Sequence, residues 1–207
     1  MKETFKAYDI SLSDIEYELF DKFLPLFIER NSLVNLSAIR DEQGITQKHF
    51  IDSIILNKFI KLHGNVLDIG SGGGFPGIPL KITNPEVNFT LLDSIGKKVN
   101  SMNIFIEKLS LSGIKAIQAR AEEIGNKEDF SKRYDFIVSR ATAYLPKIIE
   151  WSFPFLKEGG KMIIFKLNNK EELKDGEFLL KKLKLKITNI HKYDIEDQER
   201  ILIEISR

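Results

Sequence analysis

Short apolar runs alternate with longer amphipathic stretches along most of this chain. From Asn65 onward, the apolar runs predict strands near 65–69, 88–92, 115–118, 135–139 and 161–166. The stretches between them repeat apolar residues at helical spacing, which predicts helices near 76–83, 96–109, 144–153 and 170–182. Because strands that alternate with helices form parallel sheets, this pattern favours an α/β fold.

The front of the chain has a helical pattern only. Ser13 and Glu16 match a capping box at the start of a helix that Pro25 should kink or divide. A second helix is predicted from about 47 to 62, with Gly64 closing it.

The end of the chain has a strand pattern only. Residues 185–193 and 200–205 alternate apolar and polar positions around an acidic turn, which predicts a closing antiparallel hairpin. We therefore expect an N-terminal helical extension, residues 1–64, packed on a Rossmann-like core, residues 65–207, in a single compact domain.

A glycine-rich turn follows the first predicted strand. Residues 66–79 read VLDIGSGGGFPGIP, with four of the five positions from Gly70 to Gly74 occupied by glycine. Glycine has no Cβ, so a ligand can lie almost against the main chain, and the first N–H groups of the next helix face that ligand. The turn therefore predicts a site for a nucleotide-like ligand.

The glycine spacing alone fits two ligand classes. Gly70 and Gly72 begin one register, whereas a second register, starting at Gly72, resembles a dinucleotide fingerprint. Asp68 favours the first, because a carboxylate at the mouth of the strand repels a pyrophosphate but suits the ammonium and sulfonium groups of S-adenosylmethionine. Asp93 ends the next apolar run, where such folds grip a ribose hydroxyl pair.

Composition narrows the chemistry. The 207 residues include no cysteine, which excludes a disulfide framework, a thiolate nucleophile and cysteine-dependent methylation of a pyrimidine carbon. No signal peptide or membrane-length apolar run is visible, so we expect a cytoplasmic protein with no membrane contact. The net charge is +1, and the lysines within 181–192 indicate a solvated face more readily than a polyanion site.

Several longer motifs resemble one family, the bacterial 16S rRNA guanine-N7 methyltransferases called RsmG or GidB. They are NLSAIRD at 35–41, HFIDSI at 49–54, LDIGSGGGFPGIPL at 67–80, LLDSIGKKV at 91–99, ARAEE at 119–123, VSRATA at 138–143, FK at 165–166 and RILIEI at 200–205. The resemblance implies a class I S-adenosylmethionine-dependent methyltransferase fold, with a mostly parallel seven-stranded sheet and an antiparallel C-terminal hairpin.

The resemblance also implies roles for individual residues. It places cofactor contacts at Gly70, Phe75, Ala121, Glu122 and Arg140, and the logic of the fold adds Asp93 and Ser94 on the ribose side. It implies catalytic roles for Arg140, Lys166 and Lys97, and RNA contacts for Lys97, Arg120, Lys166 and Arg200. Lys98 is added as a phosphate contact because it lies beside Lys97 at the start of the predicted helix after Asp93. The doubled lysine at 97–98, where relatives often show lysine then arginine, leaves open which side chain points inward.

The chemistry of guanine N7 agrees with the residues present. Its lone pair lies free in the ring plane, so no general base is needed. Residues 139–142 read SRAT and not the Asn/Asp-Pro-Pro-aromatic tetrapeptide typical of exocyclic-amine enzymes. No His, Asp or Glu set has metal-ligand spacing, so we expect no metal.

Three other features have two interpretations each. His49 and Asp52 resemble a catalytic pair, but we interpret them as a scaffold joining the front helices to the sheet, because neither lies near the carboxyl end of a strand. Tyr144 offers a ring on which a flipped base can stack. Trp151 offers another, but its helical spacing favours core packing.

We therefore expect transfer of a methyl group from S-adenosylmethionine, leaving S-adenosylhomocysteine, to a guanine N7 in the decoding-region loop of 16S rRNA. A near-neutral chain binds free RNA weakly, so the expected partner is 16S rRNA within the 30S subunit, met by a monomer. Alternatives are a small-molecule or ribose-oxygen methyltransferase, a noncatalytic dinucleotide-binding module, and an RNA-binding assembly factor without turnover.

Overall fold

Seven strands form one mixed sheet in the computed structural model, which describes residues 1–207. The strands are β1 (Asn65–Ile69), β2 (Asn88–Asp93), β3 (Ile114–Gln118), β4 (Tyr134–Arg140), β5 (Leu156–Leu167), β6 (Lys186–Ile195) and β7 (Gln198–Ser206). Their order is β3-β2-β1-β4-β5-β7-β6; β1 to β5 run parallel, and β7 is antiparallel to β5 and β6. The predicted parallel sheet and closing hairpin are confirmed.

Nine α-helices surround this sheet. They are α1 (Lys2–Ala7), α2 (Asp14–Val34), α3 (Glu42–Ile45), α4 (Asp52–Ile54), α5 (Gly77–Thr83), α6 (Gly96–Lys108), α7 (Ala121–Ile124), α8 (Leu145–Ser152) and α9 (Lys170–Lys182). A π-helical turn, Thr46–Ile51, joins α3 to α4, and a 3₁₀ turn, Ile55–Lys58, follows α4. We call this continuous stretch, residues 42–58, the bridging segment. None of the helices combines the length and apolar composition needed to cross a bilayer.

The predicted bounds of the second front helix were wrong. The second predicted helix begins at Glu42 and ends at Lys58, so Gly64 does not close it; Gly64 instead lies at the entry to β1 with φ +64. The residues after Lys58 leave the helix because Ile60 and Leu62 bury their side chains in the core from an irregular segment.

Pro25 does not divide α2. The Ser13 capping box is confirmed, with Ser13 Oγ accepting from the Glu16 N–H and Glu16 Oε2 accepting from the Ser13 N–H. The helix then continues through the proline to Val34. Phe20 and Phe27, on either side of Pro25, are both fully buried, and this packing offsets the hydrogen bond that proline cannot donate.

Both faces of the sheet are covered. One hydrophobic cluster contains Val66 of β1 and the buried side chains of α2 and the bridging segment. The other contains Leu67, the next residue in β1, together with Leu145 of α8 and Leu180 of α9. Successive residues of a strand point to opposite faces, so the N-terminal helices share a core with one face of the sheet.

Candidate functional site

The glycine turn after β1 has a backbone that favours glycine. Gly70, Gly72 and Gly74 have φ of +73, +57 and +94. A Cβ on Gly70 would lie 2.3 Å from the Thr142 side chain, so close approach requires glycine there as well. Asp93, at the end of β2, holds the turn: its carboxylate accepts from the N–H of Gly72 and of Ile95, both at 2.9 Å.

Asp68 lies beneath this turn, fully buried. Its Oδ2 accepts from the Gly77 N–H at 2.9 Å, whereas its Oδ1 has no hydrogen-bond partner. Burial away from water raises the pKa of this carboxyl to about 7. Asp68 thus supports the turn and α5 from below and does not stand at the mouth of the strand, where the sequence argument had placed it.

A cleft of about 290 Å³ opens beside the turn; we call it the glycine-side cleft. It is lined by Ile69, Gly70, Leu92, Asp93, Ser94, Ile95, Lys98, Ala119, Arg120, Ala121, Glu122, Ala141, Thr142 and Trp151. The structure therefore brings together five residues predicted for the cofactor: Gly70, Asp93, Ser94, Ala121 and Glu122. Four other predicted cofactor residues do not line the cleft: Asp68, Gly72, Phe75 and Arg140. Arg140 donates instead to Lys48 and Asp52 of the bridging segment.

Phe75 belongs to a buried aromatic cluster. Its ring stacks on His49 at a centroid distance of 4.5 Å and meets Phe27 edge-on at 5.0 Å. The Arg140 guanidinium lies 5.4 Å from the centre of the same ring. Phe75 therefore joins α2 and the bridging segment to the strand end that carries Arg140.

A second cleft, of about 440 Å³, lies between the ends of β4 and β5 and the start of β7. We call it the basic-side cleft; it is lined by Arg140, Ala141, Phe165, Lys166, Leu167, Asn169, Glu172, Tyr193, Gln198 and Arg200. The two clefts share Ala141, a non-glycine residue at φ +52. Three predicted basic residues thus gather in one cleft that meets the glycine-side cleft at a single residue.

Two of these three basic residues bind one carboxylate. Arg140 and Arg200 each donate from Nη1 to Oδ2 of Asp52, at 2.7 and 2.8 Å. Tyr193 donates its hydroxyl to Oδ1 of the same group at 2.9 Å. Arg140 also donates to the Lys48 carbonyl at 2.9 Å, within the π-helical turn.

Lys166 is paired with a different carboxylate. Its ammonium donates to Glu172 Oε1 at 2.5 Å and to the Ala143 carbonyl at 2.6 Å. Glu172 Oε1 also accepts from the Leu145 N–H at 2.7 Å. Lys166 therefore fastens the end of β5 to α8 and α9, and its charge is largely neutralised within the fold.

The positional argument about His49 and Asp52 was wrong. Both contact Arg140, the last residue of β4, because the bridging segment lies across that strand end. Asp52 does join the front helices to the sheet, as a scaffold would. Burial and the nearby Arg140 charge lower the pKa of His49 to about 3, which keeps its imidazole neutral beside the guanidinium.

The remaining predicted residues lie at or beyond the rim of the glycine-side cleft. Lys98 lines this cleft and is half-buried, whereas Lys97 is exposed and does not line it. Arg120, also exposed, lies 3.8 Å from Glu122 and 3.7 Å from Glu123. Of the two lysines at 97–98, Lys98 is therefore the one that faces the cleft.

The other aromatic and basic features lie elsewhere. Trp151 packs on the core and also lines the glycine-side cleft. Tyr144 is exposed, and its hydroxyl donates to Asp175; this bond raises the pKa of the phenol to about 12. Lys182 and Lys186 lie where α9 ends and β6 begins, at the edge of the sheet opposite both clefts.

Residue-by-residue reasoning missed part of the site. Thr142 donates to the Ile69 carbonyl at 3.1 Å and forms one wall of the glycine-side cleft. Ile95 and Ala119 also line that cleft. The signal was available, because all three directly follow or closely follow the predicted ends of strands, where ligands bind in open α/β sheets.

Comparisons with known families and proteins agree with this geometry. The family model GidB, described as rRNA small subunit methyltransferase G, matches residues 16–202. Ribosomal RNA small subunit methyltransferase G of Desulforamulus reducens is 39% identical over 198 residues, covering 94% of this chain and 82% of that protein. Its counterpart in Mesoplasma florum is 43% identical over 171 residues, covering 82% and 71%.

Solved structures resemble the fold at low sequence identity. M. jannaschii TYW2, solved in complex with AdoMet, has a TM-score of 0.63 and 14% identity, covering 82% of this chain and 79% of that one. A SAM-dependent methyltransferase from Aquifex aeolicus has a TM-score of 0.59 and 16% identity, covering 86% and 97%. These likenesses show that the sheet and its helices have the architecture of S-adenosylmethionine-dependent methyltransferases.

Proposed function

Because this chain belongs to the GidB family, the small-subunit rRNA methyltransferases G, we propose that it methylates N7 of a guanine in 16S rRNA, with S-adenosylmethionine as the donor. The observation that carries the proposal is the meeting of two clefts at Ala141. One cleft has the glycine turn and ribose-side carboxylate of a nucleoside site, and the other has two arginines. Methyl transfer needs such adjacent sites, because donor and acceptor must be held in line.

The glycine-side cleft fits S-adenosylmethionine. The carboxylate of Asp93 suits a ribose hydroxyl pair, and Leu92, Ile95 and Ala119 give apolar surface for an adenine ring. Trp151 also lines this cleft and adds aromatic surface to it. When bound, S-adenosylmethionine supplies a methyl group on a positively charged sulfur.

The basic-side cleft suits a guanine. Arginine can donate to O6 of guanine and leave the N7 lone pair free to attack, and its guanidinium can also stack on a base. Arg140 and Arg200 line this cleft beside the apolar surface of Phe165 and Leu167. We assign orientation of the base to Arg140 and Arg200. Lys166, paired with Glu172, keeps the cleft wall in place.

The exposed basic residues suit the phosphates around the target base. Lys97, Lys98 and Arg120 lie on or near the outer side of the glycine-side cleft and contribute charge without base-specific geometry. With a net charge of only +1, the chain gains little from free RNA, so the shaped surface of the 30S subunit is the proposed substrate. We propose that a monomer acts on it in the cytoplasm.

Nucleoside analysis tests the proposal directly. Digested 16S rRNA from cells with and without this gene is compared by mass spectrometry; we expect one 7-methylguanosine to be lost with the gene and restored by the wild-type chain. A methyl group lost from a ribose oxygen, or no lost methyl group, would contradict N7 chemistry. In calorimetry, S-adenosylhomocysteine should bind, and binding of NAD alone would contradict the cofactor assignment.

A further inference from the structure

The carboxylate of Asp52 lies behind the wall of the basic-side cleft, where it binds two arginines that line the cleft. Asp52 is fully buried, and its Oδ2 accepts from both Arg140 and Arg200. These residues are 88 and 148 positions away along the chain, on two different strands. One side chain of the bridging segment therefore connects β4 to β7 at the cleft.

The charges around Asp52 do not cancel. Two guanidinium groups face one carboxylate, while His49 stays neutral and the Tyr193 hydroxyl stays protonated because burial and Asp52 raise the pKa of that phenol. The cluster therefore keeps one excess positive charge in surroundings where Arg140 and Arg200 side chains are only 10% and 19% exposed. Buried cations with one shared counterion leave capacity for an electron-rich ligand.

The hydrogen bonds point to the same conclusion. Each guanidinium has five N–H donors, and Asp52 takes one from each arginine. Arg200 Nε is buried and has no partner, although Arg200 lines the basic-side cleft. A buried donor without a partner is costly, so it is expected where a ligand completes the bond.

We propose that Asp52 is a positioning residue for the acceptor. Asp52 fixes Arg140 and Arg200 in the orientation that holds the guanine. This inference rests on the proposed function and extends it, since it makes the N-terminal helices part of the acceptor site. Asp52 acts through the arginines and touches neither the donor nor the base. Its substitution should therefore change the rate of methyl transfer and leave the glycine-side cleft intact.

The test compares Asp52→Asn with Glu204→Gln. Glu204 is a buried carboxylate on β7 that accepts from Lys161 at 2.7 Å and His191 at 3.3 Å, and it lines neither cleft. Initial rates of methyl transfer from labelled S-adenosylmethionine to 30S subunits give kcat and KM, calorimetry gives the dissociation constant of S-adenosylhomocysteine, and thermal unfolding gives stability. Wild-type activity tests the proposed function, and the ratio of each variant to wild type tests Asp52.

We expect Asp52→Asn to lower kcat on the order of 10- to 100-fold, because displaced orienting groups misalign the acceptor. Cofactor affinity should stay within about twofold, and Glu204→Gln should keep its kcat. In a double-mutant cycle, the loss of kcat in Asp52→Asn combined with Arg140→Lys should be smaller than the product of the two single losses, since part of the effect of Asp52 passes through Arg140 and the rest through Arg200. If Asp52→Asn does not fold, Asp52→Glu, which keeps the charge but moves it, should bind cofactor normally and still lose kcat.

Four results would overturn the proposal. Asp52→Asn could keep the wild-type kcat, or it could lose kcat only as far as Glu204→Gln does. Both Asp52 variants could lose cofactor binding or the folded state, which would show a structural role alone. Multiplicative losses in the cycle with Arg140→Lys would also contradict action through Arg140.

Discussion

Gly70 shows how strongly one position of the turn is determined. Its φ is +73, and the Thr142 side chain fills the space where a Cβ would stand. Gly159 has a similar φ of +76, but nothing lies within 4 Å of its Cβ position. The two glycines therefore separate the cost of backbone conformation from the cost of steric overlap.

We expect Gly70→Ala to destabilise the protein by about 1–3 kcal/mol more than Gly159→Ala, because only the first adds an overlap to the unfavourable φ. Gly70→Ala should also weaken binding of S-adenosylhomocysteine. Urea unfolding and calorimetry on both variants measure these effects. Equal destabilisation by the two alanines would show that Thr142 moves aside without cost, and the close approach would then not explain the glycine.

Asp68 gives a prediction about pH. Its carboxyl titrates near 3.8 when exposed and near 7 in the folded protein, because burial disfavours the charged form. Between these values the folded chain holds a proton that the unfolded chain has lost. The free energy of unfolding should therefore fall as the pH rises from about 4 to 7 and then level off.

Asp68→Asn removes this titration. As the pH rises through that range, the free energy of unfolding of the variant should increase relative to that of wild type by on the order of 1–4 kcal/mol. Urea unfolding at a series of pH values measures this change. Asp135→Asn is the control of opposite sign. Partial burial opposes ionisation of Asp135, but the Lys157 ammonium and the Asn65 N–H outweigh it and lower the pKa of this carboxyl. The free energy of unfolding of wild type should therefore exceed that of Asp135→Asn at neutral pH, and this difference should disappear in acid. Parallel curves for wild type and Asp68→Asn would disprove the buried titration.

Asp68 and Phe75 also mark what the sequence cannot predict at single positions. Motif spacing correctly placed the glycine turn and Asp93 at one cleft, because the backbone itself dictates where a strand ends. Side-chain direction depends on what packs below: Asp68 turns down to the Gly77 N–H, and Phe75 turns to His49. Only the three-dimensional neighbours decide those directions.

The strands and helices follow local periodicity closely where each one packs on a single sheet face. β1 was predicted at 65–69 and spans Asn65–Ile69, and α9 was predicted at 170–182 and spans Lys170–Lys182. The bridging segment was not predicted with its π-helical turn, since its geometry is set by Arg140, which donates to the Lys48 carbonyl from 92 positions away. Single π-helical turns within helices are rare and are frequent at functional sites.

Helix α2 provides the test of how the N-terminal layer is held. Phe23 is fully buried, and its ring lies 5.2 Å from those of Phe50 and Phe105. We expect Phe23→Ala to cost about 3–5 kcal/mol of unfolding free energy, because it leaves a cavity among α2, α6 and the bridging segment. Ile15→Ala, on the same helix at 71% exposure, should change stability by less than about 0.5 kcal/mol.

Thermal or urea unfolding of the two variants checks this contrast. A single transition that shifts as a unit is expected for Phe23→Ala, since the front helices and the sheet share one hydrophobic cluster. Two separate transitions, with the sheet unaffected, would show that residues 1–64 fold independently of the rest.

The charge of the entire chain sets its relation to RNA. The net charge is +1, with 31 basic and 30 acidic side chains, so little counterion release is available to drive binding to a free strand. Arg140, Arg200 and Lys166 are already paired with carboxylates inside the fold. Beyond the target guanine itself, recognition of the RNA must therefore come from shape and from the few exposed cations around the clefts.

We therefore expect methylation of 30S subunits to be at least about tenfold faster than methylation of protein-free 16S rRNA at equal concentration. Transfer of tritium from labelled S-adenosylmethionine, followed over a range of salt concentrations, measures both rates. Equal rates on the two substrates would show that the RNA loop alone carries the recognition.

One consequence of the glycine-side cleft is practical. Trp151 is the only tryptophan in the chain, and it borders that cleft with its ring N–H unpartnered. Binding of a ligand in that cleft should therefore change the intrinsic fluorescence of the protein, and no second tryptophan contributes to the signal. Trp151 is thus an intrinsic fluorescent probe, with which binding can be followed in real time without a dye or an isotope.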